Sequence, residues 1–161
     1  MGLRLVASCD DATDIPVTNG TIDQAGLTVL QVTAPANTGI TVRGFGISFD
    51  GIDGSEEPIR VKIARQTTAG TGGVAGFIGK LNNEDGRTTQ STVLQDIDTT
   101  SPTDGDILRK YFVPVRGGGF HRNFGEHDKI EVGPGDRIAI ICVTQATQTD
   151  LVVYPEFIFE E

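Results

Sequence analysis

The sequence predicts an all-β fold, an antiparallel two-sheet sandwich of jelly-roll type, with residues 1–161 forming a single domain. Residues 1–26 would be its partly extended N-terminal strand and arm. Three observations carry this. No window of about eleven or more residues keeps a helical apolar period. Thr, Val and Ile are frequent, Trp is absent, and 21 glycines beside 37% hydrophobic residues suit short strands joined by tight turns. Turn signals recur about every ten residues with no crossover helix between them, which gives about eight to ten strands. A chain of 161 residues is long enough to bury a core of its own.

Taken in order, Leu3–Ser8 is a first strand, and Asp10–Asp23 is an acidic, irregular arm containing Pro16 and an Asn19-Gly20 hairpin-type turn. Leu27–Thr33 is a strand closed by Pro35–Gly39. Ile40–Asp50 changes phase: Ile40 and Val42 set one parity, and Phe45, Ile47 and Phe49 the other. One extra residue near Arg43-Gly44, a bulge, keeps all five on the core side. After the Asp50–Glu57 turn cluster, Ile59–Gln66 alternates cleanly, with Ile59, Val61 and Ile63 inward and Arg60 and Lys62 outward. The Gly-rich Ala69–Gly79 and the polar Asn82–Thr92 exceed hairpin-turn length and are expected as surface loops. Val93–Ile97, Ile107–Val115 and Ile130–Val132 are further strands, separated by Gly117–Gly119 and followed by the Gly133–Asp136 turn.

The end of the chain reads as a hairpin of two strands around which the rest is organised. Both strands are apolar on both faces. Ile138, Ile140 and Cys142 are backed by Ala139, Ile141 and Val143; Val153, Phe157 and Phe159 are backed by Val152, Tyr154 and Ile158. An antiparallel sheet ordinarily keeps one face polar, so something must cover the second. A second subunit would do so, and Ile141, Val143, Tyr154 and Ile158 are the expected interface residues of a homo-oligomer.

The net charge of −9 is uneven, with acidic ends and a near-neutral middle. Nucleic-acid binding needs clustered bases, and the densest, Arg60, Lys62 and Arg65, read as a solvated strand face, so no nucleic acid is expected. No apolar run of about twenty residues exists, so no membrane partner is expected either. Leu3–Ala7 is too short for a signal-peptide core, and Val6 stands where a myristoylation signal wants Ser or Thr. Synthesis in a host cytoplasm is the expectation. Two cysteines make no disulfide framework; Cys9 and Cys142 are expected reduced, Cys142 as a small core residue.

Candidate chemistry is thin. Gly70-Thr-Gly-Gly-Val-Ala75 follows a strand as a dinucleotide fingerprint does, but nothing after it makes the helix that would aim at a pyrophosphate. Gly46-Ile-Ser-Phe-Asp50 has Asp where a nucleophile elbow needs Gly. His121, Glu126, His127 and Asp128 share one segment without zinc spacing, and the acidic turn Asp50, Asp53, Glu56, Glu57 breaks the calcium-loop order at Ile52. The Asp96/Asp98 and Asp104/Asp106 pairs read as turn and strand-end residues. The expectation is no cofactor, no metal and no enzymatic activity.

Two blocks carry a resemblance: Gly44-Phe-Gly-Ile-Ser-Phe-Asp-Gly51 through Pro58–Thr71, and Val132-Gly-Pro-Gly-Asp-Arg-Ile138 through Tyr154-x-Glu-Phe-x-Phe-Glu-Glu161. Together, over roughly half the chain, they resemble the jelly-roll head decoration, or cement, proteins of tailed bacteriophages. Residues 81–106 have no counterpart in that resemblance. It implies a homotrimer on the capsid exterior of the virion, bound to the major capsid protein where its subunits meet. The contacts are expected from flexible pieces: Asp14 and Ile15 in the arm, Gly72 and Phe77 in the glycine-rich loop, and Phe120 and Arg122 in the Gly117–Asn123 loop. The alternative is a trimeric jelly-roll recognition module, a fibre tip or lectin-like domain binding host glycan.

Overall fold

The structure is a computed structural model that describes residues 2–9, 22, 25–51, 58–82, 86–97, 99–116, 119–145 and 151–161. Among them lie twelve strands and no helix: β1 (Arg4–Ser8), β2 (Leu27–Thr33), β3 (Ile40–Gly51), β4 (Ile59–Gln66), β5 (Val74–Ala75), β6 (Phe77–Lys80), β7 (Thr92–Ile97), β8 (Asp104–Val113), β9 (Phe120–Asn123), β10 (Ile130–Val132), β11 (Arg137–Val143) and β12 (Leu151–Glu160). They form two antiparallel sheets. The first runs β10-β3-β12-β1-β6, with β9 also beside β3, and the second runs β5-β7-β2-β11-β4-β8.

Alternation along each strand aims one parity inward, and one buried cluster draws on both sheets. Leu5, Phe45, Ile47, Phe157 and Phe159 come from the first sheet, and Leu30, Val61, Ile63, Ile138 and Ile140 from the second. Burying each such side chain stabilises the fold by about 1.5–3 kcal/mol relative to leaving it in water. An aromatic group extends the cluster, with Phe45 ring centroids 5.0 Å from Tyr111, 5.6 Å from Phe120 and 6.2 Å from Phe124.

The phase change of β3 is a bulge at the expected place. Phe159 pairs with Val42 and Ile158 with Gly44, so Arg43 is the extra residue. Ile40, Val42, Phe45, Ile47 and Phe49 are all buried as a result.

The terminal strands correct the expected hairpin. β11 pairs with β2 and β4, whereas β12 pairs with β3 and β1, so the two lie in opposite sheets. Each is central in its own sheet. Their inward faces join one buried cluster, which accounts for one face of each strand without pairing them.

The expected glycine-rich loop is also corrected, because much of it is strand. β5 joins β7 in the second sheet and β6 joins β1 in the first, so Val74–Lys80 closes one side between the sheets. Gly76 is the corner. Its N–H donates to Val93 O at 3.1 Å, and a Cβ there would lie 2.6 Å from Val93 Cγ1 and 2.9 Å from Ser8 O, so only glycine lets the chain turn between sheets. Likewise Phe120–Asn123, expected as loop, is strand β9 against β3.

The second face of β2 and β11 is covered by the chain itself. β4 and β5 stand toward opposite edges of the second sheet, so residues 67–73 must cross its outer face, and residues 99–103 cross back from β7 to β8. The two crossings bind each other: Thr67 N donates to Thr103 O at 2.9 Å and Thr71 N to Thr100 O at 3.1 Å. Beneath them Gln31 Nε2 donates to Gln66 Oε1 at 2.6 Å and to Thr68 O at 3.1 Å, while Gln66 Nε2 donates to Asp104 Oδ1 at 2.9 Å. Farther along β11, Gly26 (φ 91°) sits over Val143 and Ile141; a Cβ on it would come within 2.9 Å of Val143 Cγ2 and 3.2 Å of Ile141 Cγ2.

Candidate functional site on the outer sheet faces

Because β3 bulges at Arg43, its guanidinium turns onto the outer face of the first sheet and meets the end of β12. Nη2 lies 3.0 Å from Glu160 Oε2, and Nη1 donates to Glu126 Oε1. Lys129 Nζ extends the chain of charges, 3.4 Å from Glu126 and 3.2 Å from Glu131, whose other oxygen accepts from Thr41 Oγ1 at 2.8 Å. The hydrogen bond from Arg43 holds the Glu126 carboxyl below its ordinary range, and the one from Thr41 does the same for Glu131. A shallow cleft of about 460 Å³ opens beside this network, lined by Arg4, Leu81, Phe124 and Ile158 among others.

Next to the charges the same face carries small and apolar residues, with the Phe77 ring over Gly79. Gly79, Val6, Ile158 and Gly44 stand side by side across four strands. In the following row His121 Nδ1 is 3.2 Å from Glu156 Oε1, and the pair lies over Gly46, where a Cβ would come within 2.5 Å of the imidazole. Tyr154, 44% exposed, and the half-buried Val152 continue the face toward the other end of β12.

These positions divide the four expected interface residues. Tyr154 and Ile158 lie on the outer face of the first sheet, but Ile141 and Val143 lie on the outer face of the second, 3% and 2% exposed. The four cannot form one patch. Cover over Ile141 and Val143 comes from within the chain, which removes the reason for assigning them to a subunit contact.

Of the expected capsid-contact residues, Asp14 and Ile15 lie outside the described residues. Gly72 is exposed with a φ of 88°. Phe77 is 39% exposed on β6. Arg122 is exposed on β9, whereas Phe120 on the same strand turns its ring into the aromatic cluster, 5.1 Å from Tyr111. The structure thus packs Phe120 against the core and leaves Gly72, Phe77 and Arg122 apart from one another.

Gly70–Ala75 leads into strand β5 rather than a helix, and Gly46–Asp50 is plain strand within β3. Among the described residues no three His, Cys, Asp or Glu side chains converge as a metal site; most of the acidic turn at 50–57 lies outside them. Cys9 and Cys142 are free thiols, and burial pushes both up in pKa, Cys142 far more because it sits in the core.

Sequence reasoning read Ile107–Val115 as a strand but assigned no contact to it; it is β8. It is an edge strand ten residues long, with Phe112 69% and Ile107 42% exposed. Its alternation is legible in the sequence, but its place at an edge is set only by which strands pair.

Fold and surface together define an all-β protein of two antiparallel sheets whose accessible groups lie on shallow faces and one long edge. Comparison with protein-family models, with curated proteins and with solved structures returned no match.

Proposed function

We propose that this chain is a structural virion protein, a jelly-roll decoration protein that binds the outside of a phage capsid at subunit junctions and stabilises the shell without a chemical step. The jelly-roll reading is supported by strand order: β1-β12-β3-β9/β10 in one sheet and β2-β11-β4-β8 in the other are two four-stranded layers linked by successive crossings between them. The functional reading is supported by the sequence resemblance and rests on one structural observation. Exposed large apolar side chains occur in more than one place among the described residues: Phe77, Leu81 and Tyr154 around the first sheet, Ile107 and Phe112 on the β8 edge of the second, and Val74 on its opposite edge. A protein that bridges neighbours needs two contact faces, and binding only the assembled shell stabilises it by mass action.

On this reading the face of Tyr154 and Ile158 is the self-contact of a homotrimer, and the β8 edge meets the major capsid protein. Purified protein is mixed with heads that lack it, sedimented, and the heads heated. Co-sedimentation and a higher rupture temperature are expected; heads that neither retain the protein nor gain heat resistance would reject the reading. A glycan-binding alternative draws on Tyr154, an exposed aromatic directly opposite Ser48 and one row from Glu156, and a glycan array tests it.

A further inference from the structure

Most described bases of this chain are engaged. Arg4 and Arg43 reach Glu160, Lys129 reaches Glu126 and Glu131, and the guanidinium groups of Arg65, Arg109 and Arg137 donate to backbone carbonyls. Arg60, Lys62, Lys110 and Arg122 form no ion pair or side-chain hydrogen bond among the described residues, and Arg60 Nε is buried without a partner. Arg122 stands apart on β9, whereas the first three gather on one surface. Lys62 and Lys110 stand directly opposite each other on β4 and β8, and Arg60 stands opposite Phe112. Like charges placed across a strand pair repel, and an acidic group laid over them would relieve that repulsion.

The edge beside them is open. The other sheet edges are closed by short strands, β5 of 2 residues, β6 and β9 of 4 and β10 of 3, whereas β8 has 10. Its first half is blunted: the register breaks at Leu108, whose carbonyl accepts from Arg109 Nη1 at 2.9 Å. Past that break Arg109–Val113 runs regularly against Ile59–Ile63. Phe112, 69% exposed, lies there beside a cleft of about 360 Å³ lined by Pro58, Arg60, Val143 and Thr144.

We propose that the Arg109–Val113 edge is the docking site for an extended acidic segment of a partner protein, which on the reading above is the capsid subunit. The segment adds as a further strand, using the free edge for main-chain hydrogen bonds. Opposite Lys110 it carries a carboxylate, in the same row as Lys62 one strand farther on, and two residues away on the same face it carries an apolar side chain against Phe112. A nucleic acid suits this surface less well, since phosphates cannot use the strand edge and a chain of net charge −9 repels a polyanion elsewhere. A second copy pairing edge to edge along Arg109–Val113 would bring two sets of unpaired bases together. The local basic face reverses what the net charge suggests, that the capsid's docking surface is neutral or basic.

The test uses a fluorescently labelled peptide of repeated Glu-Thr-Val-Thr, with Lys-Thr-Val-Thr and oligo(dT) as controls. Anisotropy is read for the wild-type chain and for Lys62→Glu/Lys110→Glu, whose surface positions leave the melting curve as a check of folding. Head co-sedimentation is run in parallel. The wild type is expected to bind the acidic peptide, more weakly as salt rises, and charge reversal is expected to weaken it at least about tenfold. Phe112→Ser should weaken it as well. Equal binding by wild type and charge-reversed protein, or binding of oligo(dT) in preference to the peptide, overturns the proposal. Should the wild type bind heads while charge reversal changes neither head nor peptide binding, the shell reading survives and this site does not. Should heads fail to bind while the peptide binds and reversal abolishes it, the site survives and the shell reading does not.

Discussion

Arg43 and Glu160 are joined at 3.0 Å only because one extra residue is inserted in β3. The bulge keeps Phe45, Ile47 and Phe49 inward and turns the residue left over toward the end of β12. Two variants separate these effects. Arg43→Ala should fold and lose a little thermal stability, less at high salt, because its pair with Glu126 is exposed and that with Glu160 only part-buried. Deleting Arg43 removes the extra residue, so Val42 and Phe45 fall two apart and the phenylalanines stay inward on a strand without the bulge; it should still unfold cooperatively, having lost the ion pairs and the local bend. Calorimetry compares them; loss of cooperative unfolding in the deletion alone would show that the bulge is needed for more than the phase of β3.

The same network predicts an acid limb of stability. Glu126 and Glu131 are held below the ordinary carboxylate value of 4.5 by Arg43 and Thr41 respectively. A depressed folded-state pKa contributes stability that is present above the unfolded value and is lost as pH falls through the folded one. Melting temperature should therefore decline below about pH 4.5, and the decline should be shallower in Glu126→Gln. An identical pH profile in that variant would remove Glu126 from the account.

Ile141 and Tyr154 should respond oppositely to a charge. Ile141 is 3% exposed, so Ile141→Asp buries an unpaired carboxylate and is expected to cost about 3–5 kcal/mol or prevent folding. Tyr154 is 44% exposed, so Tyr154→Asp should fold normally. Light scattering then tests the proposed self-contact: an oligomer in the wild type and a monomer in Tyr154→Asp are expected. An oligomer of unchanged mass in the variant places the contact elsewhere.

Glycines 39 and 46 make a matched pair. A Cβ at Gly39 would lie 2.5 Å from the Val132 carbonyl oxygen, which is backbone, whereas at Gly46 the obstacles at 2.5–2.6 Å are the tips of His121 and Glu156. Backbone cannot yield and exposed side chains can. Gly39→Ala should cost about 1–3 kcal/mol and Gly46→Ala clearly less, read from denaturant midpoints at constant slope.

Some of this was legible in the chain itself. Val61 and Ile63 alternating with Arg60 and Lys62 marks a half-covered strand wherever it occurs, since side-chain direction in a strand is a local property of period two. The phase slip between Val42 and Phe45 marks the bulge for the same reason, and the bounds of β2 and β4 coincide with those expected. The glycine corner at Gly76 was misread because its strands are short and carry no strong alternation, and β9 because its four residues, Phe120–Asn123, read as part of a polar loop.

Pairing between distant strands was decided by tertiary structure. Ile138–Val143 and Val152–Phe159 show that their second faces must be covered, but covering is a contact with residues far away in sequence, and local patterning does not say which. For β11 the answer is Gly26, and for β2 beside it the crossings at 67–73 and 99–103, all within the same chain. The surface follows the same division. Lys62, Lys110 and Phe112 are individually unremarkable in the sequence, and they become a basic, aromatic edge because β8 pairs with β4 on one side only. Net charge and alternation are sums over neighbours along the chain; a docking face is a sum over neighbours in space.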